Sequence, residues 1–263
     1  MLGNHEMYGG GSCYFTQMLG DNGICDTGTG EKQKASFFCL ETDNWRVIAL
    51  DTGYNSVGKP FLGIIPLIKR LPWVGANCAL AQKLLDWINS NVQPQQKRKS
   101  TLFLSHHQYY SVNETAFTKP AQQLKDAFAE QEVVWIWGHE HRLSIYDKIC
   151  PDGSITCWGR CLGNGGMPVK LESSATGKGL AYMDPRGLTP TEGGPETRFK
   201  LEDGSYAGWN GYANMTLEGP VMTIDYRDVT DHTLFSESFT AQQDGSITYK
   251  MLASQGLKAV TPS

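Results

Sequence analysis

The sequence predicts an α/β fold, because strand-like, helix-like and again strand-like segments follow one another in its middle. Thr101 to Ser105 is a short apolar run, Pro120 to Ala129 carries apolar residues at helical spacing, and Val133 to Trp137 is continuously apolar. A continuously apolar run of this length is typical of a strand that is buried on both faces. Polar residues follow both strands directly, at the carboxyl ends where α/β sheets carry their functional groups.

The earlier part of the chain predicts a hairpin and a helix, with long loops around them. Ala35 to Thr42 and Trp45 to Asp51 carry β-branched, aromatic and aliphatic residues on either side of an Asp-Asn turn. Ala79 to Val92 places leucine and isoleucine at helical spacing, and a proline follows soon after. Residues 7–33 and 53–75 are rich in glycine with polar residues or proline, and predict loops of a length that is uncommon unless functional.

The second half of the chain predicts short strands that complete a second sheet rather than a separate domain. A Gly- and Pro-rich stretch covers residues 163–210, and the sequence from Gln242 onward is polar. We therefore predict one domain at residues 1–240 and a polar C-terminal tail at residues 241–263 that frays. The strand-like runs are Ser144 to Ile149, Ser154 to Trp158, Val221 to Arg227 and Thr233 to Phe239.

Composition and charge exclude several classes of protein. Hydrophobic residues make up 40% of the 263 residues and the formal net charge is −4, which is ordinary for a soluble globular protein. The absence of a long basic run argues against a nucleic-acid partner. No apolar run approaches the ~20 residues that a membrane span needs. No signal peptide is visible at the start given, so the compartment stays open with the cytoplasm as the default, and nothing indicates the oligomeric state.

The seven cysteines do not form a recognisable framework. They are odd in number and scattered, without a C-x-x-C pair, which argues against a zinc ribbon or a dense set of disulfides. Cys150, Cys157 and Cys161 are close enough in sequence for one bridge, and free buried thiols are an equal alternative.

Five of the six histidines fall in three short motifs, which indicates a metal site with hydrolytic chemistry. Neutral imidazole is the commonest protein ligand for transition metal ions, and the first motif adds a carboxamide oxygen. Each motif alone is weak evidence, since a lone H-x-H fits an exposed turn equally well. The motifs are Gly3-Asn4-His5-Glu6, Ser105-His106-His107 and Gly138-His139-Glu140-His141.

Position relative to the strands suggests which histidines bind. A loop that leaves a buried strand can aim both His139 and His141 at a pair of neighbouring metal ions. In an extended run, adjacent side chains face opposite ways, so one of His106 and His107 should reach the site while the other packs or supports. We favour His106 as the ligand.

Together and in this order, the three motifs resemble the calcineurin-like metallophosphoesterase family, which includes purple acid phosphatases and many phosphodiesterases. The family pattern runs D-x-H, G-D-x-x-D, G-N-H-[DE], a lone histidine after a strand, and G-H-x-H, and the last three elements are present. Residues 81–87 are similar to the Gln-x-x-x-x-Trp helix that often lies between the third and fourth motifs. The resemblance covers residues 1 to about 150 and implies a metallo-dependent phosphatase-like β-sandwich flanked by helices.

The resemblance implies a phosphoesterase that hydrolyses phosphate mono- or diesters with a water activated by two metal ions, either divalent or trivalent (Fe, Zn or Mn). Asn4, His106 and His139 would be ligands of one ion, and His141 a ligand of the other. His5 would contact the phosphoryl oxygen and help to protonate the leaving group. The partner would be a phosphorylated small molecule or ester that the sequence does not name.

The first two motifs of the family pattern are not found in the chain. Gly20-Asp21-Asn22-Gly23 continues with Ile24 where an aspartate is needed, and His232 directly follows Asp231, which is not D-x-H spacing. We therefore expect this chain to be an incomplete fragment of a larger enzyme, with the N-terminal strands missing and weak activity alone. The absent segment would supply the bridging aspartate and further ligands.

Two other classes of function remain open. A non-catalytic or degenerate binding module could keep the fold, although the intact side chains of the first and third motifs argue against it. A mononuclear zinc hydrolase could use His106, His139 and His141 with a water as the fourth ligand. The Gly-Asn-His-Glu motif would then be unexplained.

Overall fold

Within the described part of the chain, two β-sheets, one mixed and one antiparallel, contain most of the regular secondary structure, and the helices are few and short. The computed structural model describes residues 2–19, 32–57, 77–166, 179–186 and 208–260, together with residues 177, 202 and 204. The strands are β1 (Phe38–Glu41), β2 (Trp45–Ala49), β3 (Ser100–Ser105), β4 (Glu132–Trp137), β5 (Leu143–Ile149), β6 (Thr156–Leu162), β7 (Leu180–Met183), β8 (Gly211–Glu218), β9 (Val221–Asp228), β10 (Thr233–Ala241), β11 (Ile247–Ser254) and β12 (Lys258–Ala259). The helices are α1 (Asn4–Tyr8), α2 (Gln82–Trp87) and α3 (Lys119–Leu124), with π-helical segments at Tyr14–Met18 and Ile88–Val92.

The larger sheet has eight strands in the order β1-β2-β3-β4-β6-β5-β7-β12. Its centre is parallel, from β2 through β3 and β4 to β6, and its flanks are antiparallel. The connections explain this pattern. β2 to β3 and β3 to β4 are joined by long segments that contain α2 and α3, as parallel crossovers need, whereas β1 and β2 form the predicted tight hairpin. The α/β class is therefore confirmed.

Strand β4 shows why the middle of the chain is so apolar. Val133, Trp135 and Trp137 pack on one face of the sheet, in a core that also contains the apolar residues of α2 and α3. Val134 and Ile136 pack on the other face, against the second sheet. The prediction of a strand buried on both faces is confirmed. Apolar residues are needed on both faces because helices cover one face and the second sheet covers the other.

The smaller sheet is antiparallel, in the order β11-β10-β9-β8. Along β9, Met222, Ile224 and Tyr226 are buried towards the larger sheet and alternate with half-buried polar residues. The resulting layers are helices, the eight-stranded sheet and the four-stranded sheet. Two of the predicted runs form strands of this second sheet, as β9 and β10. The prediction is wrong for the runs Ser144 to Ile149 and Ser154 to Trp158, which form β5 and β6 of the larger sheet, where β7 and β12 also lie.

Several boundaries and one larger expectation differ from the sequence predictions. The predicted helix Ala79 to Val92 is α-helical only at Gln82–Trp87 and continues as a π-helical segment. The expected fraying from Gln242 onward is wrong for residues 247–254 and 258–259, which form β11 and β12. β11 pairs with β10, buries Ile247 and partly buries Tyr249 against the core between the sheets, so alternating apolar residues hold this segment despite its polar composition. The proposed domain extent of residues 1–240 stays a prediction.

The predicted long loops are only partly within the described residues. α1 and a π-helical segment interrupt the first of them, and residues 20–31 lie outside the described part, as do residues 58–75 of the second. The six cysteines that the structure describes are free, which decides the open question at Cys150, Cys157 and Cys161. None of the described helices has the length and apolar character to cross a membrane.

Candidate metal centre

The second and third histidine motifs lie side by side at one edge of the larger sheet. They follow the parallel strands β3 and β4, and Ser105 at the end of one is paired with Trp137 at the end of the other. The backbone N–H groups of Gly138 and His139 donate to the carbonyl oxygen of His106 at 3.0 and 2.8 Å. These two bonds join the loops, so the side chains of His106 and His139 are held next to each other.

The first motif reaches the same edge through a tight backbone contact. A Cβ at Gly53, just after β2, would overlap the carbonyl oxygen of Leu2, so this position accommodates only glycine. At the start of α1, the carboxylate of Glu6 accepts a hydrogen bond from the N–H of Gly3 at 2.8 Å. The amide nitrogen of Asn4 donates to the Tyr8 hydroxyl at 2.9 Å, which leaves the Asn4 oxygen free to face His106.

Donor atoms from all three motifs converge. Asn4 Oδ1 lies 2.8 Å from His106 Nε2, and His106 Nε2 lies 3.2 Å from His139 Nδ1. Ligand nitrogens of His106, His107 and His139 all lie within 4.8 Å of one another, and these three residues are called the histidine cluster below. Ligands around a tetrahedral zinc ion with bonds of ~2.0–2.1 Å are roughly 3.3 Å apart. The types of donor atom therefore fit a metal ion, as do the distances from His106 Nε2 to Asn4 Oδ1 and to His139 Nδ1.

Burial keeps the histidine cluster neutral. The pKa of His106 is lowered to about 4, chiefly by burial and next by the neighbouring His139, while Glu6 opposes the change. Burial followed by the neighbouring His106 lowers the pKa of His107 to about 3, and burial also lowers that of His139. Only the neutral imidazole has a free lone pair for a metal, so at neutral pH the histidine cluster is in its binding form.

His107 lies in the cluster together with His106, although the sequence predicts that only one of these two histidines reaches the site. Its side chain is only 3% exposed, and its ring lies 4.7 Å from that of His139. Thr52 Oγ1 accepts a hydrogen bond from the backbone N–H of His107 and also contacts ring atom Nδ1, both at 3.1 Å. The paired histidines were the only available signal, since Thr52 is distant in sequence and lies at the end of a different strand.

The two remaining motif histidines lie near the cluster but outside it. His5 is exposed on α1, with its ring 5.1 Å from that of Tyr8. Charges on His5 and His141 would lower the pKa values of His106 and His139, which places both within electrostatic range. His141 Nδ1 is buried and has no hydrogen-bond partner among the described residues. A nitrogen in this position is available to a ligand. The roles assigned to Asn4, His5, His106, His139 and His141 stay predictions.

Close packing supports the loop that carries His139 and His141. Glu140 lies between them and is completely buried, and burial raises the pKa of its carboxyl group. A Cβ at Gly163, after β6, would lie 2.6 Å from the carbonyl carbon of Glu140 and closer still to its oxygen. The Sγ of Cys161 lies 3.3 Å from that same carbonyl oxygen. The loop therefore has little room to move away from the cluster.

No family model matches this chain, and no curated protein shows significant similarity to it. An assignment of function must therefore rest on the three motifs and on the geometry of the site that they form.

Proposed function

We propose that this chain is a metal-dependent phosphoesterase of the calcineurin-like type, which hydrolyses phosphate mono- or diesters. The observation that carries the proposal is the convergence of Asn4 Oδ1, His106 Nε2 and His139 Nδ1, which come from three separate motifs. The family resemblance implies the same three residues as ligands of one ion. Their meeting at the carboxyl edge of two parallel strands, where α/β sheets carry their active sites, supports the proposal.

The layered architecture is a second, coarser support. Two sheets share a buried core, and helices cover the outer face of the larger one. A β-sandwich flanked by helices is the fold that the family resemblance implies. The layers alone would fit many functions, so they add weight only in combination with the site.

Each motif side chain has a defined role in this proposal. Asn4, His106 and His139 would hold one ion, and the buried, unpartnered His141 Nδ1 would bind a second. When bound, the two ions polarise the phosphoryl group and lower the pKa of a bound water. His5 is exposed beside the cluster, where it can bind a phosphoryl oxygen and protonate the leaving group.

A mononuclear zinc hydrolase is the second candidate, because the described residues form one compact set of three imidazoles. Three protein ligands and one open position are the usual arrangement of a catalytic zinc site. The sequence suggests His106, His139 and His141 as the ligands of such a zinc ion. In the structure, His107 takes the place of His141 in the set of three imidazoles. The number of tightly bound ions separates the candidates: two favours the phosphoesterase and one favours the mononuclear site.

The roles can be tested with three variants of the full-length protein. His139→Ala should lose metal and hydrolytic activity together, because it removes a ligand. His5→Ala should keep most of the metal while turnover falls roughly 10²–10⁴-fold, as expected when an acid group is lost. His232→Ala, at an exposed histidine on the β9–β10 turn, is the matched control and should change neither.

Metal content by mass spectrometry and hydrolysis of aryl phosphate mono- and diesters with added Mn or Zn are the measurements. Equal metal loss in His5→Ala and His139→Ala would contradict the division of roles. A protein that binds its metals tightly and hydrolyses neither class of ester would instead be a binding module, and the proposed activity would be wrong.

A further inference from the structure

We propose that His107 is a direct ligand of the ion bound beside His106 and His139, so that the site has three imidazoles. The inference rests on the proposed function to the extent that both require a metal at this position. It differs from the roles above, which assign the first ion only Asn4, His106 and His139. It also identifies the class of ion that this site prefers.

The backbone beyond β3 allows both neighbouring histidines to face the same point. Alternation would direct them to opposite sides only within a strand, and β3 ends at Ser105. The chain bends at residues 106 and 107, and the two rings lie 4.7 Å apart in an edge-to-face arrangement. His107 therefore does not pack away from the site, and its ring also lies 4.7 Å from that of His139.

Thr52 prepares one nitrogen of His107 for binding. Its Oγ1 contacts both the backbone N–H and ring atom Nδ1 of His107, so the ring is held at two points. With the proton on Nδ1 and donated to this oxygen, Nε2 is the unprotonated nitrogen. Histidine ligands of metals nearly always have their other ring nitrogen bonded to a protein acceptor, and Thr52 supplies that bond.

A purely structural role explains the packing of His107 less well. Burying a polar ring without a full set of partners costs free energy, and here three imidazoles are packed ring against ring. Apolar side chains of similar volume would fill the same space without that cost. A shared cation offsets the cost for all three rings, because it binds the nitrogens that are turned towards one another.

The resulting donor set is three imidazole nitrogens with the amide oxygen of Asn4. Nitrogen-rich sets of this kind suit Zn²⁺ and Co²⁺, whereas Mg²⁺ and Ca²⁺ prefer carboxylate, carbonyl and water oxygens. We therefore expect one equivalent of zinc to occupy this position first.

X-ray absorption spectroscopy of the full-length protein loaded with one equivalent of zinc tests the inference, because it counts the imidazoles bound to the ion. The key variant is His5→Gln/His141→Gln, which removes every other motif histidine. We expect three imidazoles in the unaltered protein, in this double variant and in the His232→Gln control. We expect two imidazoles in His107→Gln, with zinc affinity at least about tenfold lower.

Two imidazoles in the double variant would overturn the inference, as would an unchanged count in His107→Gln. If His107→Gln does not fold, Thr52→Val is the second variant: three imidazoles with weaker zinc binding supports the inference, and unchanged affinity counts against it. Hydrolysis of aryl phosphates by the unaltered protein and by His107→Gln, each saturated with zinc so that both proposed ion positions can fill, separates the two proposals. Three imidazoles without hydrolysis would leave the inference standing and refute the phosphoesterase, and hydrolysis with two imidazoles would do the reverse.

Discussion

Single side chains in the site are fixed by hydrogen bonds that use one polar atom and leave another facing the cluster. Asn4 uses its amide nitrogen on Tyr8 and turns its oxygen to His106. His107 uses Nδ1 on Thr52. Because a ligand that is already oriented loses little entropy on binding, this arrangement favours metal binding by a folded, pre-organised site.

The buried histidines make the stability of the metal-free protein depend on pH. The pKa of His106 is about 4 and that of His107 about 3 in the folded protein, against 6.5 in the unfolded chain. Below about pH 6.5 the unfolded chain therefore binds protons that the folded chain does not. We expect the free energy of unfolding to fall as the pH is lowered from 7 towards 4, by up to about 1.4 kcal/mol per pH unit for each histidine.

Denaturant unfolding of the chelator-treated protein at several pH values between 7 and 4 measures this dependence. The matched variant is His106→Gln, which removes one of the titrating groups and should give a smaller slope over the same range. If the free energy of unfolding changes equally with pH in the two proteins, His106 is not a source of the pH dependence. The carboxylates titrate in both proteins, so their contribution does not alter this comparison.

The strands and loops position the site through close backbone packing at their carboxyl ends. The loop after β4 is hydrogen-bonded to the loop after β3 on one side and packed on Gly163 on the other. The first motif packs on Gly53. Two glycines therefore allow the approach of the segments that carry the candidate ligands.

Gly163→Ala should displace the His139–His141 loop. The added methyl group would overlap the Glu140 carbonyl, and overpacking of this kind costs about 1–3 kcal/mol of stability. We expect weaker zinc binding together with the loss of stability, because the loop must move to make room. Zinc titration and thermal unfolding are the measurements.

Gly166→Ala is the control for this prediction. A Cβ at Gly166 would meet none of the described residues within 4 Å, and the position lies only three residues further along the chain. It should change neither zinc affinity nor stability by a measurable amount. If Gly163→Ala behaves in the same way, the loop is not held as described.

A buried ion pair joins the two sheets. Arg160 on β6 donates to both carboxylate oxygens of Glu237 on β10, at 2.7 Å each, and both side chains are at most 1% exposed. The Tyr226 hydroxyl donates to the same carboxylate at 2.7 Å, and the carbonyl of Tyr146 accepts from Arg160 at 2.6 Å. The pair is therefore fully hydrogen-bonded, as a buried pair must be to persist.

Arg160→Met should destabilise the protein by about 3–5 kcal/mol, because it leaves the Glu237 carboxylate buried without its partner. Arg160→Met/Glu237→Gln removes both charges and should recover part of the loss, which makes the two substitutions non-additive. Chemical denaturation of the wild-type protein, both single variants and the double variant gives the coupling energy. A coupling energy near zero would mean that the pair contributes no specific interaction.

Local pattern was sufficient for the α/β class, the hairpin, both strands next to the histidines and two of the four strands of the second sheet, β9 and β10. These elements are determined by which residues are apolar and at what spacing, and that information is local. Strands β7 and β8 were missed, since β7 is a short run within a Gly- and Pro-rich stretch and β8 is mostly exposed. β11 was mistaken for a fraying tail, because pairing with β10 outweighs its polar composition.

In the candidate site, the motifs were sufficient to name Asn4, His106 and His139, which the fold then brings into contact. The place of His107 depended on the bend after β3 and on Thr52 from the end of β2, a hydrogen bond between residues that are distant in sequence. Sequence periodicity describes how a segment faces its own sheet. The direction of a side chain beyond the end of a strand is set by whichever segment packs against it, and that packing exists only in the folded chain.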